Sequence, residues 1–182
     1  MSDSPPDELS DERSFERSHE LREPLVEPDR SDWEGFWLRF VAHHPDLKGS
    51  DPADVFAFGD HRALADELAQ LVLAGTKTAT TAALPAFHAV GMPLPKRGDL
   101  SVVLRGDGTP VCVIRTVDLV VCRFDEVGAE FAAAEGEGDR SLAYWREAHA
   151  QVFRREGERL GYAFDPALEV ACERFEVVWR GD

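Results

Sequence analysis

The sequence predicts an α+β fold, in which a small and mostly antiparallel β-sheet or barrel has helices packed around it. Helical patterns come first along the chain, followed by two β-branched runs, two further helical patterns and a final strand. A doubly wound parallel sheet would instead alternate strands and helices regularly. Residues 105–109, two of which are glycines, connect the two β-branched runs, as in a hairpin of antiparallel strands. The chain has 182 residues and is 43% hydrophobic, which is enough for one domain with a core.

The first 30 residues are predicted to form a disordered acidic tail, ahead of a single domain over residues 31–182. The tail holds ten acidic residues and four arginines, with few apolar side chains. Such a segment buries too little apolar surface to offset the entropy cost of ordering it. It does not resemble a signal peptide, and no run approaches the roughly 20 apolar residues of a membrane span. We therefore expect a cytoplasmic protein without membrane partners.

Two amphipathic helices are predicted after the tail. The first begins with the capping-box pattern of residues 31–34, with Ser31 at the N-cap, and ends before Pro45. Its aromatic side chains recur at helical spacing, which we interpret as core packing. The second helix has Asp60 as its expected N-cap and stops at Gly75, where glycine favours the end of a helix.

The second half of the chain contains most of the predicted strands. In order, its predicted elements are strands at 100–104 and 111–117, a candidate third strand at 119–122, a short helix at 125–134, a longer helix at 142–160 and a last strand at 169–179. Ser141 precedes the longer helix as its expected N-cap.

Charge and cysteine content restrict the ligands that this chain is expected to bind. Its net charge is −15. Because phosphate contacts drive nonspecific binding of polyanions, we expect no affinity for long duplex nucleic acid. A local pocket for a nucleotide-like ligand remains compatible with this charge. Cys112, Cys122 and Cys172 lie in apolar runs without metal-ligand spacing, so we interpret them as small buried thiols and expect neither a metal nor a cofactor.

A lysine among hydroxyls follows the second helix directly. Lys77 stands between Thr76 and Thr78, and Thr80 comes three residues later. A lysine titrates near 10.4 and is protonated at neutral pH, so it binds phosphate, carboxylate or carbonyl oxygen unless burial or another cation lowers its pKa. Two interpretations stay open: a solvated lysine at a helix end, or a residue that contacts a ligand. In a regular strand Lys77 and Thr80 point to opposite faces, so they cooperate only if the backbone turns.

An acidic loop about 60 residues later supplies carboxylates. Glu135, Glu137 and Asp139 alternate with glycines, and Arg140 and Ser141 follow. The loop has neither calcium-loop spacing nor a nearby histidine, so a metal site is not expected. It is either a helix connector or a loop that faces a ligand. His149, on the apolar face of the next helix, is interpreted as a packed side chain.

These motifs together resemble the ASCH domain family, which is related to PUA domains. The resemblance rests on residues 74–80, 94–99 and 135–146, and extends from about Trp33 to Trp179. The branch it suggests contains bacterial proteins with the Glu-Gly-Glu-Gly-Asp loop. The resemblance implies a PUA-like β-barrel with helices around it, and a role in RNA binding or RNA metabolism.

The resemblance also implies residue roles. One ASCH branch hydrolyses the acetyl amide of 4-acetylcytidine with a lysine base, a threonine nucleophile and a glutamate proton donor, which correspond to Lys77, Thr80 and Glu135. Other ASCH proteins are described as ribonucleases, in which the same lysine and the serine after the acidic loop matter. The implied substrate-binding residues are Thr78, Glu137, Asp139, Arg140, Ser141, Tyr144 and Trp145.

Three functions remain open from the sequence. The first is a hydrolase of the 4-acetylcytidine amidohydrolase type. The second is a ribonuclease acting on short single-stranded RNA, and the third is a module that binds RNA or a nucleotide without chemistry. The expected partner is a nucleoside or a short single-stranded RNA.

Overall fold

A computed structural model of the chain describes residues 23–181. Over these residues the helices and strands are, in chain order, α1 (Arg30–Ala42), β1 (Asp54–Ala57), α2 (Arg62–Leu73), β2 (Ala79–Ala83), α3 (Leu84–Val90), β3 (Leu100–Leu104), β4 (Pro110–Arg123), α4 (Ala129–Glu135), α5 (Leu142–Leu160) and β5 (Glu169–Arg180). Short 3-10 turns at Pro45–Leu47 and Phe124–Glu126 complete the secondary structure. No helix in this part of the chain is long and apolar enough to cross a membrane.

The strands form one mixed sheet in the order β1-β3-β4-β5-β2. Strand β1 runs parallel to β3, whereas the other neighbouring strands are antiparallel. The sheet forms a half-barrel with the helices packed around it. The predicted α+β class, with a mostly antiparallel sheet, is confirmed.

Strand β4 is longer than the sequence predicted. The predicted strands at 111–117 and 119–122 are one continuous element, which pairs with β5 from Cys112 to Arg123. The register shifts between Thr116 and Asp118. A β-bulge of this kind bends a strand without ending it, so no turn is needed at the break in the hydrophobic pattern.

Two short elements were not predicted. Strand β1 has four half-buried residues, and α3 has seven residues with a proline in its first turn. Neither is long enough to show a period in the sequence. Pairing with the distant strand β3 holds β1 in place, and local sequence does not report such a contact.

Helix caps agree with the sequence in part. Ser141 caps α5, as predicted, and accepts a hydrogen bond from the backbone N–H of Tyr144 at 3.0 Å. The N-cap of α1 is Asp29 and not Ser31, because the Asp29 carboxylate accepts the Ser31 N–H at 2.7 Å. In α2 the cap is His61, one residue after the predicted Asp60.

Two hydrophobic clusters enclose the region around Lys77. Trp145 and Phe153 of α5 pack with Phe124 against residues of β2 and β5. Phe58 and Phe175 stack with ring centroids 5.7 Å apart on the side of α2. The aromatic residues of α1 form a third cluster, as predicted for core packing. The cysteines are free; Cys112 and Cys172 are buried and Cys122 is half-buried.

The predicted tail falls largely outside the described residues, which begin at residue 23. Its last part, residues 23–29, lies extended beside the β3–β4 hairpin. Val26 N–H donates to the Gly106 carbonyl at 3.0 Å, and Arg62 N–H donates to the Glu23 carbonyl at 3.0 Å. The domain boundary at residue 31 stays a prediction.

Candidate functional site

Lys77 is carried into the interior by the segment between α2 and β2. Gly75 ends α2 in the left-handed conformation with φ 74°, and the N–H of Lys77 then donates to the Leu71 carbonyl at 3.1 Å. The Lys77 side chain is only 1% exposed. Its interpretation as a solvated lysine at a helix end is therefore wrong, and the side chain requires partners in the interior.

Two carboxylates and an aromatic ring supply those partners. Lys77 Nζ lies 3.0 Å from Glu135 Oε2 and 2.6 Å from Glu137 Oε1. It also lies 5.3 Å from the centroid of the Phe58 ring, within the range of a cation–π interaction. The predicted meeting of the lysine segment and the acidic loop thus occurs, and its centre is a buried ion pair.

Glu135 holds a dense set of hydrogen bonds. Its Oε1 atom accepts from Thr81 Oγ1 at 2.6 Å and from Trp145 Nε1 at 2.7 Å, while Oε2 accepts from Lys77. His149 Nε2 lies 3.5 Å from Oε1, and its other ring nitrogen contacts the Trp145 carbonyl. Glu135 is as buried as Lys77, and these donors satisfy its charge.

The pKa values of this cluster follow from competition between burial and the ion pairs. Burial alone would lower the pKa of Lys77, but Glu135 and Glu137 outweigh it and raise that pKa. Burial would raise the pKa of Glu135, but Lys77 and His149 hold it well below its usual range. Both groups are consequently charged at neutral pH, and Lys77 has no basic lone pair to use.

Thr81, and not Thr80, shares the face of Lys77. Residues alternate between the two faces of a strand, so Lys77, residue 79 and Thr81 point the same way. Thr81 pairs with Cys172 on β5, whereas Thr80 pairs with Glu173 and faces the opposite side of the sheet. The structure therefore does not bring the predicted nucleophile Thr80 to Lys77 and Glu135.

We expect this difference to appear in protein stability. Thr81→Val removes a donor from a buried carboxylate and should lower the free energy of unfolding by about 1–3 kcal/mol. Thr80 makes no side-chain hydrogen bond within residues 23–181, so Thr80→Val should change it by less than about 0.5 kcal/mol. Urea denaturation of the two variants measures both values. Equal losses would contradict the placement of the Thr81 hydroxyl.

Glycines let the acidic loop approach the lysine segment closely. Gly136 has φ 77°, and a Cβ atom there would lie 2.5 Å from the Thr76 carbonyl oxygen. Gly138 has φ 53° and lies against the Tyr144 ring so closely that a Cβ atom would overlap it. The alternation of acids and glycines therefore has a steric cause: larger residues would push the carboxylates away from Lys77.

The other predicted substrate-binding residues divide into two groups. Asp139 and Ser141 build the loop, because Asp139 Oδ1 accepts the Ser141 N–H at 2.8 Å and Ser141 caps α5. Thr78 Oγ1 donates to a carbonyl of α4 at 3.3 Å. Tyr144 and Arg140 are exposed, and the Arg140 guanidinium has no partner in the described part of the chain. Arg140 also has φ 64°, which is uncommon for a residue other than glycine.

The cluster reaches solvent on the side of Glu137. Glu137 is 18% exposed, against 1% for Lys77 and Glu135. Burial raises the pKa of Tyr144, and the carboxylates of Glu137, Glu67 and Asp139 raise it further, so the rim is acidic. Across residues 23–181, no group of three or more His, Cys, Asp or Glu side chains is placed to hold a metal ion.

The sequence did not identify Thr81 or Phe58 as members of the cluster. It also did not predict that His149 contacts Glu135. Strand alternation from Lys77 identifies Thr81 once the segment is known to be extended. His149 lies four residues after Trp145, so both side chains share one face of α5, and their rings stack 4.4 Å apart. Phe58 gives no comparable signal, because only the tertiary fold brings it near Lys77.

Comparisons with known proteins identify a matching family and similar solved structures. An ASCH domain family model matches residues 54–179, which include Lys77 and Glu135. A crystal structure of a protein from Enterococcus faecalis V583 is 35% identical, with a TM-score of 0.76, over 82% of this chain and 90% of that one. The crystal structure of an ASCH domain from Lactobacillus crispatus JV V101 is 30% identical, with a TM-score of 0.77, over 85% of this chain and 99% of that one. No curated protein sequence matches the chain.

Proposed function

This chain belongs to the ASCH domain family, which is linked to RNA binding, and we propose that it removes an acyl group from the exocyclic amine of a modified nucleoside, as in 4-acetylcytidine. The observation that carries this proposal is the ammonium group of Lys77, held between a buried and a partly exposed carboxylate. A fixed cation beside an accessible carboxylate suits acyl transfer, which needs an oxyanion stabiliser and a proton carrier.

The charge of the cluster favours a neutral group over a phosphate. Lys77 contributes one positive charge, and Glu135 and Glu137 contribute two negative charges. A phosphodiester placed here would meet a net negative site behind an acidic rim. This opposes a ribonuclease mechanism at Lys77 and supports an uncharged base. Tyr144, 43% exposed at the rim, offers a ring on which such a base can stack.

In the proposed reaction Glu137 carries the proton. Water attacks the acyl carbon while Glu137 takes one of its protons, and the positive charge of Lys77, held behind Glu137, stabilises the negative charge that develops on the carbonyl oxygen. The C–N bond then breaks, Glu137 returns the proton to the leaving amine, and the free nucleoside and a carboxylic acid are the products. Glu135 positions Lys77 and stays ionised. The family resemblance implies Lys77 as the base and Glu135 as the proton donor, and the ion pair between the two side chains opposes both of those roles.

A set of acylated nucleosides and their 5′-monophosphates tests the proposal. We expect the purified protein to hydrolyse acylated nucleosides, and to act on each monophosphate with a kcat/KM lower by about tenfold or more, because of the acidic rim. Chromatography of the released nucleoside measures both. Faster hydrolysis of the monophosphates would contradict the charge argument, and no hydrolysis of any member would contradict the proposal.

A binding module without chemistry is the second candidate. It is favoured by the hydrogen bonds around Glu135, which resemble a structural ion-pair network in which every donor is matched. Calorimetry with the same nucleosides separates the two candidates. Binding without release of the free nucleoside would support the module.

A further inference from the structure

A groove at another place in the fold collects three arginines. It has a volume of about 870 Å³ and lies where α1 crosses the ends of β3 and β5. Arg39 of α1, Arg105 after β3 and Arg180 of β5 line it, and Asp32 is the only acid among the described residues that line it. The groove therefore carries a net positive charge on a chain whose net charge is −15.

The sheet brings these arginines together. Strand β4 lies between β3 and β5 and is antiparallel to both, so the ends of β3 and β5 meet at one edge beside the start of β4. Gly181 N–H donates to the Val111 carbonyl at 3.1 Å and continues this pairing past Arg180. The arginines thus belong to three elements that are far apart in sequence.

Within residues 23–181, no carboxylate forms an ion pair with Arg39, Arg105 or Arg180, although the charges of Arg105 and Asp107 interact. Within residues 23–181, the arginines that form ion pairs with carboxylates are Arg30, Arg62, Arg115, Arg123, Arg155 and Arg174. Arg39 and Arg180 each donate only to a backbone carbonyl, at 3.3 Å in both cases. Those contacts orient the guanidinium groups and leave most of their five N–H donors free.

We propose that this groove binds the phosphodiester backbone of a single-stranded RNA. Guanidinium groups match phosphate geometry and bind it through paired N–H donors. Among the described residues that line the groove, no aromatic ring is exposed for stacking: Phe36 lines it but is buried, and Arg39 covers its ring. The groove therefore contacts phosphate and not base, and the acidic surface elsewhere confines binding to a short stretch of RNA.

The groove is a second site, separate from the Lys77 cluster. Phe175 N–H donates to the Thr78 carbonyl next to Lys77, and Arg180 comes five residues later on β5. At about 3.3 Å per strand residue this separation is about 17 Å. The inference goes beyond the proposed hydrolysis and can fail separately from it.

Fluorescence anisotropy with a labelled oligouridylate tests this proposal. We compare the wild type with the variant Arg39→Gln/Arg105→Gln/Arg180→Gln between about 50 and 200 mM KCl. At the lowest salt, we expect about tenfold weaker binding in the variant. The slope of log K against log salt should fall by about 2, because each phosphate contact on a single strand contributes about 0.7.

Two controls make the result specific. The variant Arg97→Gln/Arg154→Gln/Arg159→Gln removes three exposed arginines outside the groove that also form no ion pair with a described carboxylate, so it changes the net charge equally and should bind nearly as the wild type. Glu137→Gln should retain RNA binding even if it loses hydrolysis, so failure of one proposal is distinguishable from failure of the other. Equal loss in both arginine variants, no measurable binding by the wild type, or competition by a phosphoserine peptide in preference to RNA would overturn the inference.

Discussion

Replacing Lys77 by methionine is expected to lower the free energy of unfolding by about 3–5 kcal/mol at neutral pH. Methionine fills most of the lysine volume, so the loss does not come from a cavity. It arises because Glu135, 1% exposed, loses the cation that compensates its buried charge. Guanidinium chloride denaturation measures the change, and hydrolysis of an acylated nucleoside should be lost together with the oxyanion stabiliser.

A double variant separates the ion pair from general damage to the fold. In Lys77→Met/Glu135→Gln the charge of residue 135 is removed, while the amide oxygen can still accept from Thr81 and Trp145. We expect the double variant to be more stable than Lys77→Met alone. If it is less stable than the sum of the single losses predicts, the two charges do not compensate each other.

The loss of folding stability in Lys77→Met is expected to depend on pH, and the pKa shifts determine its direction. In the wild type, the lowered pKa of Glu135 contributes stability above the ordinary value of 4.5, and this is lost as pH falls through the folded-state pKa. The raised pKa of Lys77 contributes stability below 10.5, lost as pH rises through its folded-state pKa. Without Lys77, burial favours the protonated Glu135, so the stability gap to the wild type should narrow on acidification.

Glu137→Gln is expected to lower kcat by about 10²–10⁴-fold, because glutamine cannot carry the proton between water and the leaving amine. The amide oxygen can still accept from Lys77, whose Nζ lies 2.6 Å from Glu137 Oε1. KM should change much less than kcat, since the side chain keeps its size and position. Steady-state kinetics with an acylated nucleoside measure both constants.

Asp139→Asn is the matched control for Glu137→Gln. It removes the same charge from the same loop, and its amide oxygen can still accept the Ser141 N–H. We expect its kcat to stay within a few-fold of the wild-type value. A similar fall in both variants would show that loop charge, and not proton transfer by Glu137, determines the rate.

Much of the architecture could be predicted because it rests on local signals. The 19 residues of α5 carry a serine cap, a helical apolar pattern and a terminal glycine, and the structure gives that helix the predicted bounds. Strand β3 likewise follows its β-branched run. The bulge in β4 and the short strand β1 could not be predicted, because pairing with distant strands determines both.

The sequence by itself determined the family, the sheet class and the two segments that meet at the site. It did so through a lysine after a helix end and an acidic loop with glycines at the positions of close approach. Only the tertiary structure decided what these residues do. Burial and mutual charge make Lys77 and Glu135 an ion pair, and strand alternation selects Thr81 over Thr80. Burial and charge depend on neighbours about 60 residues away, which local patterns do not report.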